Sequence, residues 1–266
     1  MNLKIFSIPY AFWLFLFSVL PMIFVLYYSI TNQENNFTLE NFLEIKNYSR
    51  TFVRSIVFSS VSTLISFALG YPTAYAISKL GKKLQKIAIA GVMLQMWISF
   101  LLITYSLMTI MESNGIINKF FNIFGSDFVI INTKIAVIIG MVYGSLPYMI
   151  LPIYSSLSKL DPKIIEAAQD LGAGKFKIFT KIIFPLSAPG VLSGFLMVFA
   201  PNMSAFIISK MLGGSENILI GEIIELQFLG SQYNPWSGSA IALILMFFIM
   251  LCTSAVGNII YYKNIK

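Results

Sequence analysis

The chain has 266 residues, of which 57% are hydrophobic and 11% charged, against about 45–50% and about 25% in soluble domains; with a mean hydropathy of +0.80 this excludes a water-soluble enzyme and intrinsic disorder alike. It has no histidine and one cysteine, Cys252, which excludes imidazole catalysis, histidine metal ligation, an intramolecular disulfide and a thiolate metal cluster. The net charge of +7 records either membrane topology or nucleic-acid binding, and the positions of the charges decide between them.

A helix needs about 20 apolar residues to cross roughly 30 Å of hydrocarbon. Six stretches qualify, 8–30, 55–78, 87–111, 135–157, 191–211 and 238–262. Lys210, near the end of the fifth, is the only charge within them and reaches the interface. Barrel strands would be shorter and alternating, so the fold class is an all-α membrane protein of six transmembrane helices, read as one domain over residues 1–266. The first stretch is too long for a signal-peptide core and no small-residue cleavage site follows it, so it is read as a retained span.

With a cytoplasmic N-terminus, twelve of the eighteen basic residues fall inside: Lys4, Lys79, Lys82, Lys83, Lys86, Lys159, Lys163, Lys175, Lys177, Lys181, Lys263 and Lys266. Only Asp161, Glu166 and Asp170 among the acids join them. The inner segments are then +9 and the outer ones −2, an asymmetry that places both termini in the cytoplasm. The basic excess is therefore a topology signal, and no nucleic-acid partner is expected.

The connection 158–190 is long for a cytoplasmic loop and is patterned. Asp161-Pro162 starts a helix: Asp caps free N–H groups and Pro suits the first helical position. Ile164, Ile165, Ala168 and Leu171 share its apolar side. Gly172-Ala173-Gly174 must end or bend it. Helical spacing resumes at Lys175, with Phe176, Phe179, Ile182 and Ile183 apolar, and Pro185 is expected to end that piece. Two readings remain open. The lysines suit a surface helix lying on lipid headgroups. Ala168 and Gly172, four apart and small, suit close approach by another protein.

Glu166-Ala167-Ala168, with Gly172 four residues on and Ile183-Phe184-Pro185 behind, resembles the EAA loop of ABC-importer permeases. The family's closing Leu-Pro is Phe184-Pro185 here. Further pieces are similar to the spermidine/putrescine (PotB-type) branch: Leu146-Pro147-Tyr148-Met149-Ile150-Leu151-Pro152, Ala168-Gln169-Asp170-Leu171-Gly172-Ala173, Leu212-Gly213-Gly214 and Leu219-Ile220-Gly221. The resemblance implies the type I ABC-importer permease fold, located in a bacterial cytoplasmic membrane. It implies two copies of an ATP-binding subunit, a second related permease and an extracytoplasmic substrate-binding protein as partners. Glu166, Ala167, Ala168, Gly172 and Pro185 would couple to the ATPase.

No P-loop occurs: the Gly-Lys pairs Gly81-Lys82 and Gly174-Lys175 are followed by Lys83 and Phe176, not by Ser or Thr. ATP and Mg would thus be bound by a partner, with no cofactor, metal or catalytic residue in this chain. The spans hold no ionised pair for a proton relay, which disfavours a stand-alone secondary carrier. Candidates for a substrate path are Asn202 and Ser204 beside Pro201, Tyr148 between Pro147 and Pro152, and Trp97 near Gln95. Each has an ordinary packing role as its alternative. The substrate implied is a polyamine; an amino acid, iron complex, sulfate or thiamine are the alternatives.

Overall fold

The computed structural model describes residues 9–10, 12–122, 129–230 and 233–264. The start of the first span at Ile8, and Lys4, Asp127 and Lys266 of the charge map, lie outside the described residues. Among the described residues, six helical stretches are long and apolar enough to cross a membrane. The chain forms two compact units, Met1–Phe52 with Ile223–Cys252, and Val53–Glu222 with Thr253–Lys266.

The helices are α1 (Phe12–Ser29), α2 (Ser49–Lys79), α3 (Lys82–Trp97), α4 (Phe100–Met111), α5 (Ile116–Asn122) and α6 (Lys134–Leu157). After them come α7 (Pro162–Asp170), α8 (Lys175–Met203), α9 (Ile220–Leu229) and α10 (Pro235–Asn264). In the first unit, Asn41 ties the loop after α1 by donating to the carbonyls of Ser29 and Thr31 at 3.0 and 2.8 Å. Tyr28 meets Trp236 edge-on, and Phe52 meets Phe248 likewise.

The second unit is built around α6, whose Val137, Met141, Met149 and Ile153 are fully buried. Thr133 caps its start by accepting from the Ala136 N–H at 3.3 Å. Two apolar clusters form. One gathers Tyr71, Ala74 and Ile77 of α2, Met149, Ile150 and Ile153 of α6 and Ile178, Ile183 and Val198 of α8. The other gathers Phe58, Met111, Val137, Met141, Ile208, Leu212 and Leu219.

A polar layer lies between them along each helix. Asn202 Nδ2 donates to Ser62 Oγ at 3.1 Å, Ser66 and Ser145 share a hydroxyl pair at 3.2 Å, and Ser62 and Thr63 donate back to the Ser59 carbonyl. Small hydroxyls satisfied by backbone or by each other let the helices approach closely in lipid.

Glycines permit the tightest approach. A Cβ at Gly190 would sit 2.5 Å from both the Pro152 carbonyl oxygen and Ser156 Oγ, and one at Gly194 would sit 2.9 Å from Met149 Sδ. These two residues form a G-x-x-x-G pair on the face of α8 that meets α6.

Three boundaries differ from those the hydropathy profile predicts. The stretch 87–111 is two helices, broken at Ile98 and Ser99, whose ψ angles of 137° and 129° are extended. No Gly or Pro marks this break. Phe100 packs into the space above Gly144, where a Cβ would meet its ring at 2.7 Å, and the Ser99 carbonyl accepts the first α4 bond from Ile103 at 3.1 Å.

Pro185 does not end a helix: α8 runs continuously through it. Proline lacks the N–H that would pair with the carbonyl four residues back. The helix answers with a π turn, Phe179–Ile183, in which the Phe184 N–H bonds Phe179 O five residues earlier. The same device precedes Pro21 in α1, where the π turn Phe15–Val19 closes from Leu20 to Phe15. Finally, the fifth span ends at Met203, not at 211; the chain turns at Ser204–Ala205, and a separate π turn, Ser209–Gly213, follows.

Candidate functional site

Two places in the second unit carry the residues singled out by sequence. The first is α7 and the bend after it. Asp161 Oδ1 accepts from the Lys163 N–H at 3.0 Å, as its position before Pro162 predicts. At the other end the Gly172 N–H bonds Gln169 O at 2.8 Å and the Ala173 N–H bonds Ala168 O at 3.0 Å. This paired closure is a Schellman cap, and it requires the left-handed residue that Gly172 supplies at φ +76°.

The apolar side of α7 is narrower than its sequence predicts. Ile165, Ala168 and Ala173 pack onto the cluster of Met149 and Ile153, whereas Ile164 and Leu171 face outward, Leu171 being 88% exposed. Phe176 is likewise 82% exposed, and only Ile178, Phe179 and Ile183 of that segment join the core. Ala168 and Gly172 therefore do not share one outward face. Ala168 turns inward, and a Cβ on Gly172 would meet nothing within 4 Å. Glu166 and Ala167 are exposed and Pro185 is half-buried. The bend is thus a small polar helix flanked by two exposed apolar side chains, Leu171 and Phe176.

The second place is a cavity of about 450 Å³ beside the α3–α4 break. Tyr148, Asn202 and Ser204 all line it, together with Gln95, Ser145, Pro147, Met197 and Pro201. Trp97 does not; it is 82% exposed at the end of α3. Asn202 is only 5% exposed and its amide bridges to Ser62, so its helix-packing role is realised at the cavity edge. The turn at Ser204 is set by its hydroxyl donating to Pro201 O at 3.2 Å. Gly221, at the start of α9, lies against the Ser204 carbonyl so closely that no side chain fits. No lining residue carries a charge.

The G-x-x-x-G spacing of Gly190 and Gly194, outside the cavity lining, is a signal visible in the sequence. The cavity leaves none, because it forms where α3, α4, α6 and α8 meet around an unmarked break.

Residues 3–263 match the family model described as "Binding-protein-dependent transport system inner membrane component". The chain belongs to that family. It is a component of a transport system and a multi-pass inner-membrane protein. It is 37% identical over 242 residues to the spermidine/putrescine transport system permease protein PotB of Haemophilus influenzae, covering 87% of this chain and 84% of that one. Against PotB of Escherichia coli it is 34% identical over 251 residues, 90% of this chain and 91% of that one.

Among solved structures, a bacterial ABC transporter involved in the import of the acidic polysaccharide alginate superposes with a TM-score of 0.80 at 16% identity, covering 97% of this chain and 95% of that one. The MetNI methionine ABC transporter in an inward-facing conformation gives 0.61 at 19% identity, over 81% and 95%. The fold is that of ABC-transporter permeases.

Proposed function

We propose that this chain is a permease subunit of an ATP-driven importer of polyamines such as spermidine and putrescine. The observation that carries this is the 34–37% identity, over most of both chains, to PotB permeases. The chemistry of the cavity agrees with it. A wall without lysine or arginine lacks a positive charge to hold an anion such as sulfate, whereas its hydroxyl and amide oxygens and the face of Tyr148 suit ammonium groups. Uncharged ligands hold a cation weakly enough to release it. On the outer side, the exposed Glu112 and Glu216 favour cations, within a screening length of about 8–10 Å.

The chain pairs with a second, related permease. A soluble protein delivers substrate outside, and two copies of an ATP-binding subunit, which hold ATP and Mg, dock inside. Leu171 and Phe176 give the docking subunit two apolar anchors, and Glu166 gives it a charge. Closure of the ATPase pair moves α7, and the spans alternate between inward and outward access.

Uptake of labelled spermidine and putrescine should require this chain and ATP, and excess unlabelled polyamine should compete. Survival of polyamine uptake in a deletion strain that loses sulfate or amino-acid uptake would show the substrate to be wrong while leaving the permease class intact.

The orientation has its own test. In a Cys252→Ser background, a cysteine at Lys175 should resist an impermeant thiol reagent in intact cells and react in inverted vesicles. A cysteine at Glu34 should do the reverse. Labelling of the Lys175 site from outside would invert the topology.

A further inference from the structure

The amide of Gln95 is held in one orientation by a carbonyl that a proline has set free. Gln95 lies on α3, two residues before the helix ends, and lines the cavity. Its Nε2 donates to the Tyr143 carbonyl oxygen of α6 at 2.6 Å. In an unbroken helix that carbonyl accepts from the N–H four residues on, but residue 147 is a proline and has none. Gln95 therefore supplies the missing donor from the neighbouring helix. A carbonyl oxygen only accepts, so the NH₂ end of the amide must be the end that faces Tyr143. The other end, Oε1, is left as an acceptor of fixed position in a wall that otherwise carries no charge.

We propose that Gln95 Oε1 is the specificity-determining acceptor for one ammonium group of the substrate, with the ring of Tyr148 as its companion face. Gln95 thereby acts as a substrate ligand and not simply as a brace between α3 and α6. The fixed dipole favours N–H donors over carboxylates or sulfate, which present only oxygen acceptors to it. A second ammonium of a linear polyamine would be taken by Ser204 and Asn202, which line the same cavity. This inference rests on the polyamine reading above.

Two substitutions separate the ligand role from the brace role, because they predict opposite orders. Gln95→Glu keeps the acceptor and loses the donor to Tyr143. Gln95→Lys keeps a donor for Tyr143 and puts a like charge against the substrate. Uptake of labelled spermidine is measured in proteoliposomes containing the whole complex, normalised to assembled complex, as half-saturating concentration and maximal rate. As a ligand, Gln95 predicts that Glu matches or lowers the half-saturating concentration, with slower release, while Lys raises it at least about tenfold. As a brace, it predicts that Lys assembles and transports best and Glu worst. That order, or equal values for both variants and the parent, overturns the assignment while the substrate reading stands. A parent complex that takes up no polyamine overturns the substrate reading itself, and the assignment with it.

Discussion

The Gly172→Glu chain should insert in the membrane as the parent does and still fail to support transport. The residue closes α7 in the left-handed conformation at φ +76°, where a side chain costs about 1–2 kcal/mol. Space is not the cause of that cost within the chain, since a Cβ there meets nothing within 4 Å. The open space is what a docked ATPase would fill. A graded series separates the two effects. Gly172→Asn tolerates the left-handed conformation and adds modest bulk; Gly172→Ala adds one methyl and strain; Gly172→Glu adds strain, length and charge. If the cap alone matters, Asn should transport close to the parent rate and Ala should fall only a few-fold. If a partner surface presses on this position, Asn should also fall, and Glu should abolish stimulated ATP hydrolysis together with ATPase co-purification. Parent-level transport by the Glu variant would remove this bend from the coupling path.

Gly190→Val should prevent the second unit from folding stably. Its Cβ would collide with the Pro152 backbone oxygen, which cannot swing aside as a side chain does, and with Ser156 Oγ. Overpacking of this kind costs about 1–3 kcal/mol where the neighbours can yield, and here the upper end or beyond is expected. Thermal unfolding of the detergent-solubilised chain, followed by size exclusion, should show a large drop in midpoint or no folded peak. Gly91→Ala on α3 is the matched control. A Cβ there meets nothing within 4 Å, and alanine in a helix interior gains about 0.5–1 kcal/mol over glycine. Equal midpoints for both variants would mean that the α6–α8 contact is not close-packed.

Elements whose ends carry their own chemistry were legible in the sequence. The expected span 135–157 lies within one residue of α6, which a capping threonine opens, and the expected end of 55–78 lies one residue from that of α2 at Lys79, although α2 starts six residues earlier and runs through Arg50 and Arg54. Asp161-Pro162 and Gly172 marked both ends of α7 correctly for the same reason. The break at Ile98–Ser99 was hidden, since tertiary packing of Phe100 over Gly144 makes it and hydropathy does not. Pro185 misled in the other direction: a missing N–H stops a helix only if the chain has no alternative closure, and the π turn before it is one. Of the candidate path residues, Tyr148, Asn202 and Ser204 came together and Trp97 did not. Asn202 stands out singly in the sequence and the serines of α2 do not stand out at all, so the layer that they form is not visible there. A layer is a property of three helices in register, which no single segment encodes.

The length of α8 has a mechanical consequence. Its 29 residues make a rod about 44 Å long. One end leaves the Gly172–Gly174 bend, and the other carries Pro201 and Asn202 in the cavity wall. Between the ends, Gly190 and Gly194 press against α6 where no side chain intervenes. That contact, centred near residue 192, divides the rod into arms of about 25 and about 17 Å on the same rise per residue, so it serves as a fulcrum whose longer arm lies on the Lys175 side. A tilt that carries the Lys175 end one way would carry Asn202 the other way by roughly three-fifths of that distance. Stroke and strain are shared along this beam, which the π turn at Phe179–Ile183 and the internal Pro189 and Pro201 give places to bend.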